Sequence, residues 1–282
     1  MEIEKVKSEL KAKQNELWKD FDSNSPRELL HYAPPDAFRS IVTKKELWCT
    51  DFAQVNDADE GHYGMDLVRL VSREKSIPDR FRHQLRQGDF GMKDVWTQYI
   101  ACFCSSGEQD HMWSDYARNG TGIALGFDYH KLFEGAANGT KYALFPVLYD
   151  RANQVELLKK TLDHAIHYAR AIGLSNRDRG RYWFEVVFPL LRCVSGFKAP
   201  KWNQEHEYRI AIFEGYPTAL SFESGGKRRI RVPFNPNAVT RVVRGRAASD
   251  GLSTAEIRAL LNEHGYRSDL PIDDADCDPL RF

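Results

Sequence analysis

Hydrophobic and polar positions change their period several times along this chain, and each change marks an element. Val155, Leu158, Leu162, Ile166, Ala169 and Ile172 recur at helical spacing and predict a helix over Gln154–Ile172. Ile3, Val6, Leu10 and Leu17 form a looser stripe, which predicts a helix over residues 1–20 that ends before Pro26. Pro34 and Pro35 open another helix, whose apolar face is Phe38, Ile41 and Val42. Further helices are expected over 62–87, 111–118, 182–194 and 252–264, the last with an N-cap around Ser253. Short apolar or alternating runs predict strands at 28–33, 46–51, 96–104, 122–127, 141–149, 230–234 and 239–243. Strands and helices mix without a regular β-α-β rhythm, so the expected class is α+β with a mainly antiparallel sheet. The expected organisation is an N-terminal helical arm (1–25), one α+β domain (26–266) and an acidic C-terminal tail (267–282).

One further strand, expected to begin within residues 201–213, has unusual chemistry. Tyr208, Ile210 and Ile212 occupy one phase, and Glu205, Glu207 and Arg209 the other. Alternate side chains of a strand point to opposite faces, so one face is apolar and the other carries two carboxylates and a guanidinium in a row. Such a row is either a solvated surface, where an exposed pair contributes about 0–1 kcal/mol, or the wall of a site.

Composition narrows the setting. The 282 residues are 42% hydrophobic and 28% charged, an ordinary globular balance. The net charge is zero, so no global field draws nucleic acid or membrane. Charge is nevertheless segregated. No acidic residue lies between Ser224 and Ser249, where Lys227, Arg228, Arg229, Arg231, Arg241, Arg244 and Arg246 fall. The longest apolar run, 182–192, is interrupted by Glu185 and Pro189 and is too short to span a bilayer. Five scattered cysteines, with Cys102 and Cys104 as a lone C-x-C, suit reduced thiols in a cytoplasmic protein better than zinc ligands.

No Walker loop, G-x-G-x-x-G, H-E-x-x-H or G-x-S-x-G motif is present. His164 and His167 share a helix face, but no nearby acid completes a metal site, and no metal is expected. Residues 56–60 offer oxygens without the length or glycine of a calcium loop. Trp113 and Tyr116 stand three apart on one helical face, as core or as a stacking platform. The arginine-rich segment is either the outer face of two strands or a phosphate-facing patch.

In order, the chain carries His31-Tyr32, Leu47-Trp48 with Thr50, Asn56-Asp57 with Glu60, and Ala101 to Ser105. Met112 to Ala117, Gly122 to Phe127, and Lys198 with Trp202, Glu205, Glu207, Tyr208 and Arg209 follow. This series, spanning residues 28–265, resembles the bacterial domain-of-unknown-function family 2971, which implies no established activity. A second resemblance is architectural. His31, Thr50 and the pair Glu205 and Glu207 follow the order of site residues in ADP-ribosyltransferases. That resemblance implies a split β-sheet flanked by helices, and the E-x-E spacing is similar to the paired glutamates of toxin-type members. The second strand departs from the pattern by lacking an S-T-S motif.

The resemblance implies NAD as substrate. Glu207 or Glu205 stabilises the positive charge that develops on the ribose, and the other accepts a proton from the nucleophile. His31 holds the adenosine ribose. Tyr32, Trp48 or Trp113 stacks on a ring, and Arg209 keeps the carboxylates ionised. The leading expectation is therefore a cytoplasmic NAD-using transferase or glycohydrolase, an effector acting on protein or nucleic acid. It requires His31, Thr50 and Glu207 to converge on one cleft. Two alternatives stand beside it: a nucleotide- or RNA-binding module without catalysis, and a magnesium-dependent nuclease using Glu205, Glu207, Asp57 or Glu60 with Lys198.

Overall fold

The computed structural model describes residues 16, 26–55, 58–74, 96–105, 109–132, 134, 142–171, 188–215, 221–247 and 251–275. The expected N-terminal arm and the end of the acidic tail lie outside them, apart from Glu16. The ordered elements begin with β1 (Glu28–Ala33), α1 (Pro35–Lys44), β2 (Glu46–Asp51), α2 (Ala58–Glu74) and β3 (Trp96–Cys104). Next come α3 (Asp110–Tyr116), β4 (Ile123–Asp128), β5 (Tyr142–Pro146), α4 (Arg151–Ala171) and α5 (Phe188–Gly196). The chain continues through β6 (Glu207–Gly215), β7 (Phe222–Ser224), β8 (Lys227–Pro233), β9 (Val239–Arg244), α6 (Thr254–Glu263) and β10 (Ile272–Asp274). The α+β class is as expected. No helix among the described residues is long and apolar enough to cross a membrane.

The ten strands form one sheet, antiparallel except where β10 joins β9. Its centre is β3. One edge of β3 is covered along its whole length by β6, from Trp96 opposite Gly215 to Cys104 opposite Glu207. The other edge is shared. β2 pairs there at Tyr99 and Ile100, and β1 pairs at Cys104. The sheet therefore forks into two leaves, β1-β4-β9-β10 and β2-β8-β7. Cys102 stands between the two contacts. Its carbonyl accepts a hydrogen bond from His31 Nδ1 at 2.9 Å. A carbonyl only accepts, so Nδ1 carries the hydrogen. Burial lowers the His31 pKa against the raising effect of that bond, which favours the neutral ring. An imidazole thus supplies the donor that a third strand would have given at the fork.

Cross-strand partners share a face, so the ladders sort the side chains. Leu29, Ala33, Tyr99, Phe103, Leu125, Tyr208, Ile210 and Ile212 belong to the largest core, under α1 and α6. The opposite face carries two smaller cores. Ile100 and Ala211 pack with α2, α4 and α5. Leu30, Tyr32 and Cys104 pack with Met112 and Trp113 of α3. Arg209 and Glu207, on the same face of β6, occupy the seam between these two cores.

Local details follow the sequence closely. Phe38, Ile41 and Val42 are the buried residues of α1, and Ser253 with Glu256 forms a capping box on α6. The strand expected from within 201–213 begins only at Glu207. Pro200–Glu205 is instead a 3₁₀ turn, closed by His206 at φ 43°. That left-handed residue breaks the extended run, so the two-residue period does not reach Glu205. β7 and β10 were not expected. β10 lies in the segment read as an acidic tail, where Asp274 pairs with Arg244 at 2.7 Å.

Helix α2 crosses α5 at backbone contact: a Cβ on Gly64 would meet Val194 O at 2.6 Å and its Cα at 2.8 Å. Gly64→Ala should therefore lower stability by about 1–3 kcal/mol, through forced separation of the helices. Urea unfolding at neutral pH checks this, and an unchanged midpoint would contradict the close crossing.

Candidate functional site

The seam between the two smaller cores holds four charged side chains. Lys198, Glu205, Glu207 and Arg209 are 5%, 5%, 6% and 1% exposed. Arg209 grips Glu207 through two parallel bonds, Nε to Oε1 and Nη2 to Oε2, both at 2.7 Å. Its Nη1 donates to the Ser195 carbonyl at 2.6 Å. Ser195 lies in the last turn of α5, where the helix dipole favours a cation. Lys198 Nζ donates to Glu205 Oε2 at 2.5 Å and to Glu207 Oε2 at 3.4 Å. Two cations thus balance two carboxylates. The solvated-surface reading of Glu207 and Arg209 does not hold, because both are buried.

Backbone contacts fix the quartet. The Lys198 amide donates to the Leu148 carbonyl at 3.1 Å, and the Lys198 carbonyl accepts from the buried Gln154 side chain at 2.8 Å. Tyr63 holds the other end of Gln154 through a 2.7 Å bond. The Glu207 amide donates to the Tyr149 hydroxyl at 3.0 Å. Ser105, just past β3, donates through its amide and hydroxyl to the His206 carbonyl at 3.0 and 2.9 Å. The turn that carries Glu205 is thereby tied to the end of β3.

Electrostatics follow from this packing. Burial by itself would raise the Glu207 pKa. The charge and bonds of Arg209 outweigh it, aided by Lys198 and a hydrogen bond from the Cys102 thiol, and bring the carboxyl down to about 2. Tyr116 is pushed well above its usual value, by burial first and then by the Glu205 carboxylate. Tyr149 is raised by burial and by Glu207. Both hydroxyls stay protonated at neutral pH. His111 is lowered, by burial first, with His206 and Lys198 adding to that effect against Asp115 and Asp110. Trp202 lies under Lys198, whose Nζ is 5.5 Å from the ring centroid. Among the described residues, the buried Nε2 of His111 and Nε1 of Trp202 have no hydrogen-bond partner. Buried polar atoms are normally satisfied, so these two positions suit a ligand or water.

The fork opens beside the quartet. Ala101, Phe103 and Cys104 are buried, yet Cys102 between them is exposed although it sits on the central strand. Its thiol side faces Glu207 and Arg209, and its carbonyl meets His31.

The expected site residues divide accordingly. Glu205 and Glu207 come together, though Glu205 arrives from the turn. Arg209, expected to keep the carboxylates ionised, has its guanidinium engaged by Glu207 and the Ser195 carbonyl. Trp113 is fully buried and packs edge-on against buried Tyr32, with centroids 5.0 Å apart. Both belong to the core, because the short α3 presses directly on β1, and neither is a stacking platform. Thr50 shares its face with Ile100 and Ala211, one step along from Arg209. Trp48 has the same phase but lies out on the β2-β8-β7 leaf against Phe222. His31 is rooted on the opposite face, across from Leu125, and its ring stands 5.4 Å from Phe103. The convergence is therefore partial: His31 reaches the fork but does not share a sheet face with Glu207.

Sequence reasoning grouped Lys198 with Glu205 and Glu207 only as a helper in the nuclease alternative, not as their buried counter-ion, and it missed Tyr149, which gave no signal. Asn56 and Asp57 lie outside the described residues, and nothing is described of the Glu60 side chain. Among the described residues no group of three or more His, Cys, Asp or Glu is placed to hold a metal. The Lys198 ammonium takes the position between the two carboxylates that a cation would need.

Residues 112–210 match the model of a family described as protein of unknown function (DUF2971). The matched region starts in α3 and ends in β6. It contains Tyr116, Lys198, Trp202, Glu205, Glu207 and Arg209, while His31, Tyr32, Trp48 and Thr50 lie outside it. No curated protein and no solved structure matches the chain.

Removing Arg209 leaves Glu207 buried beside Lys198 alone. Arg209→Met should cost about 3–5 kcal/mol, and adding Glu207→Gln should recover part of it. Acid has a defined sign here. The folded pKa of Glu207 lies below its ordinary 4.5, so its contribution is present above that value and is lost as pH falls toward about 2. Urea midpoints measured between about pH 6 and pH 3 should fall more steeply for wild type than for Glu207→Gln. Parallel profiles would contradict the assignment.

Proposed function

We propose that this protein is an NAD-using transferase or glycohydrolase of ADP-ribosyltransferase-like architecture, with its chemistry at the fork of the sheet. One observation carries the reading: the exposed central-strand Cys102 lies between the His31 imidazole and the Glu207 carboxylate. An opening lined in this way has an anion of fixed position on one side and a neutral ring on the other.

In this reaction the bond between ribose C1′ and the nicotinamide nitrogen breaks, and its electron pair leaves with nicotinamide. Water or a target side chain supplies the new pair to C1′ and gives up a proton. Glu207 suits the first step. It remains ionised throughout the physiological range, and a carboxylate of fixed position stabilises positive charge where that charge forms. The same low pKa makes Glu207 a poor proton acceptor, which assigns that role to Glu205. Lys198 holds Glu205 in place. His111 and Trp202, whose buried nitrogens have no hydrogen-bond partner among the described residues, take over the ligand-holding role expected of Tyr32 and Trp113.

The test is NAD turnover with free nicotinamide as readout, with and without candidate protein or nucleic-acid targets. Wild type should release nicotinamide, and Glu207→Gln should lower the rate roughly 100-fold or more while keeping a cooperative thermal transition. Full activity in Glu207→Gln would remove Glu207 from the chemistry. No turnover and no thermal shift with NAD would end the reading.

A further inference from the structure

We infer that the β2-β8-β7 leaf is a binding platform for single-stranded nucleic acid, independent of whether the fork consumes NAD. The starting point is how the structure divides the arginine-rich segment. Arg241 is engaged by Glu28 at 3.0 Å, Arg244 by Asp274 at 2.7 Å, and Arg246 by the Ala275 carbonyl. These three fasten the other leaf and its terminal strand. Arg228 faces Asp51 at 3.9 Å. Arg229 and Arg231 are placed differently, on aromatic rings.

Register explains why. Trp48 pairs with Arg231, Thr50 with Arg229, and Arg229 with Phe222, so all five project from one face of three adjacent strands. Leu47, Cys49, Ile230 and Val232 take the other phase and are buried in the large core. Trp48 and Phe222 meet edge-on with centroids 5.1 Å apart. The Arg231 guanidinium lies 4.2 Å from the Phe222 centroid, Arg229 5.5 Å from that of Trp48, and Lys44 Nζ 5.8 Å from Trp48. The nearest carboxylate to Arg231 is Glu46, at a loose 3.9 Å, and the Arg231 side chain is half exposed. Arg229 Nε has no hydrogen-bond partner among the described residues.

Two aromatic rings and two arginines on one strand face, with Lys44 reaching the Trp48 ring from the end of α1, match the chemistry of an unpaired polynucleotide. Bases stack on the rings, and the cations that now cover them are the nearest partners for backbone phosphates. A duplex hides its base faces and would use the cations alone. An acidic peptide would likewise ignore the rings. The leaf also adjoins the fork, since Arg229, Thr50, Ile100 and Ala211 form one continuous row across β8, β2, β3 and β6.

Fluorescence anisotropy of the full chain with labelled oligo-U and oligo-dT of about 12 nucleotides tests this, against a duplex and poly-glutamate. Single strands should bind with a log–log salt slope of about −2, as three phosphate contacts require. The pair Arg229→Gln and Arg231→Gln should weaken binding roughly tenfold and flatten that slope. Trp48→Leu should weaken it roughly tenfold at an unchanged slope, because stacking releases no counterions. Thermal unfolding checks each variant, and if Trp48→Leu does not fold, the arginine pair decides alone. Absence of single-strand binding at low salt would overturn the inference. So would wild-type affinity in the arginine pair, or duplex and poly-glutamate binding as tightly as single strands.

Discussion

A carboxylate survives burial at the start of β6 because Arg209 holds both of its oxygens. Taking a single charge out of water costs several kcal/mol, and only a partner with matched geometry offsets that. The bidentate grip on Glu207 meets the requirement, and Lys198 extends it to Glu205. This constraint reaches well beyond the four side chains. It ties the end of α5 through the Ser195 carbonyl, the 3₁₀ turn through Glu205, and the seam between two apolar cores. Apolar side chains could fill the same seam with equal or greater stability, so stability alone does not account for the charges. The quartet instead places two carboxylates, that of Glu207 held well below its usual pKa, beside an opening in the sheet.

That opening exists because one edge of β3 serves two strands. β1 and β2 both pair there, with α1 linking them, and the ladder is interrupted at Cys102. Two groups meet Cys102 from different sides, His31 at the backbone carbonyl and Glu207 at the thiol, while Thr50 pairs with Ile100 two residues along β3. Neutral His31 suits contact with polar uncharged groups, while the carboxylates suit developing positive charge. The fork and the basic-aromatic leaf share a sheet face, so a target held on the leaf lies on the same side as the proposed chemistry.

Local pattern carried much of this into view. The apolar phase of Tyr208, Ile210 and Ile212 marked their face of β6 as core, because alternation is a local property. The same logic failed at Glu205. A histidine with positive φ has no reliable sequence signature, and without the turn at His206 the glutamate was placed on a strand it does not join. The three-residue strands β7 and β10 are too short to show a period. The fork was not legible from local pattern, since it depends on the registers of β1, β2 and β6 against β3, set by contacts distant in sequence. Tyr149 reaches the Glu207 amide from 58 residues away, a link no pattern encodes. The aromatics were misread for a related reason. Trp113 and Tyr32 are adjacent to site residues in sequence, but helix packing turned them into core and left Trp202 near Lys198.

The claim that the fork is a nucleotide cleft can be tested at Cys102 itself. Alkylation by a small thiol reagent, resolved by peptide mass spectrometry, reports access to that one side chain. Cys102 should be modified readily in the free protein, with buried Cys49, Cys104 and Cys193 reacting far more slowly. Saturating NAD should slow the modification of Cys102. An alkylation rate at Cys102 that NAD leaves unchanged would rule out a nucleotide cleft at the fork.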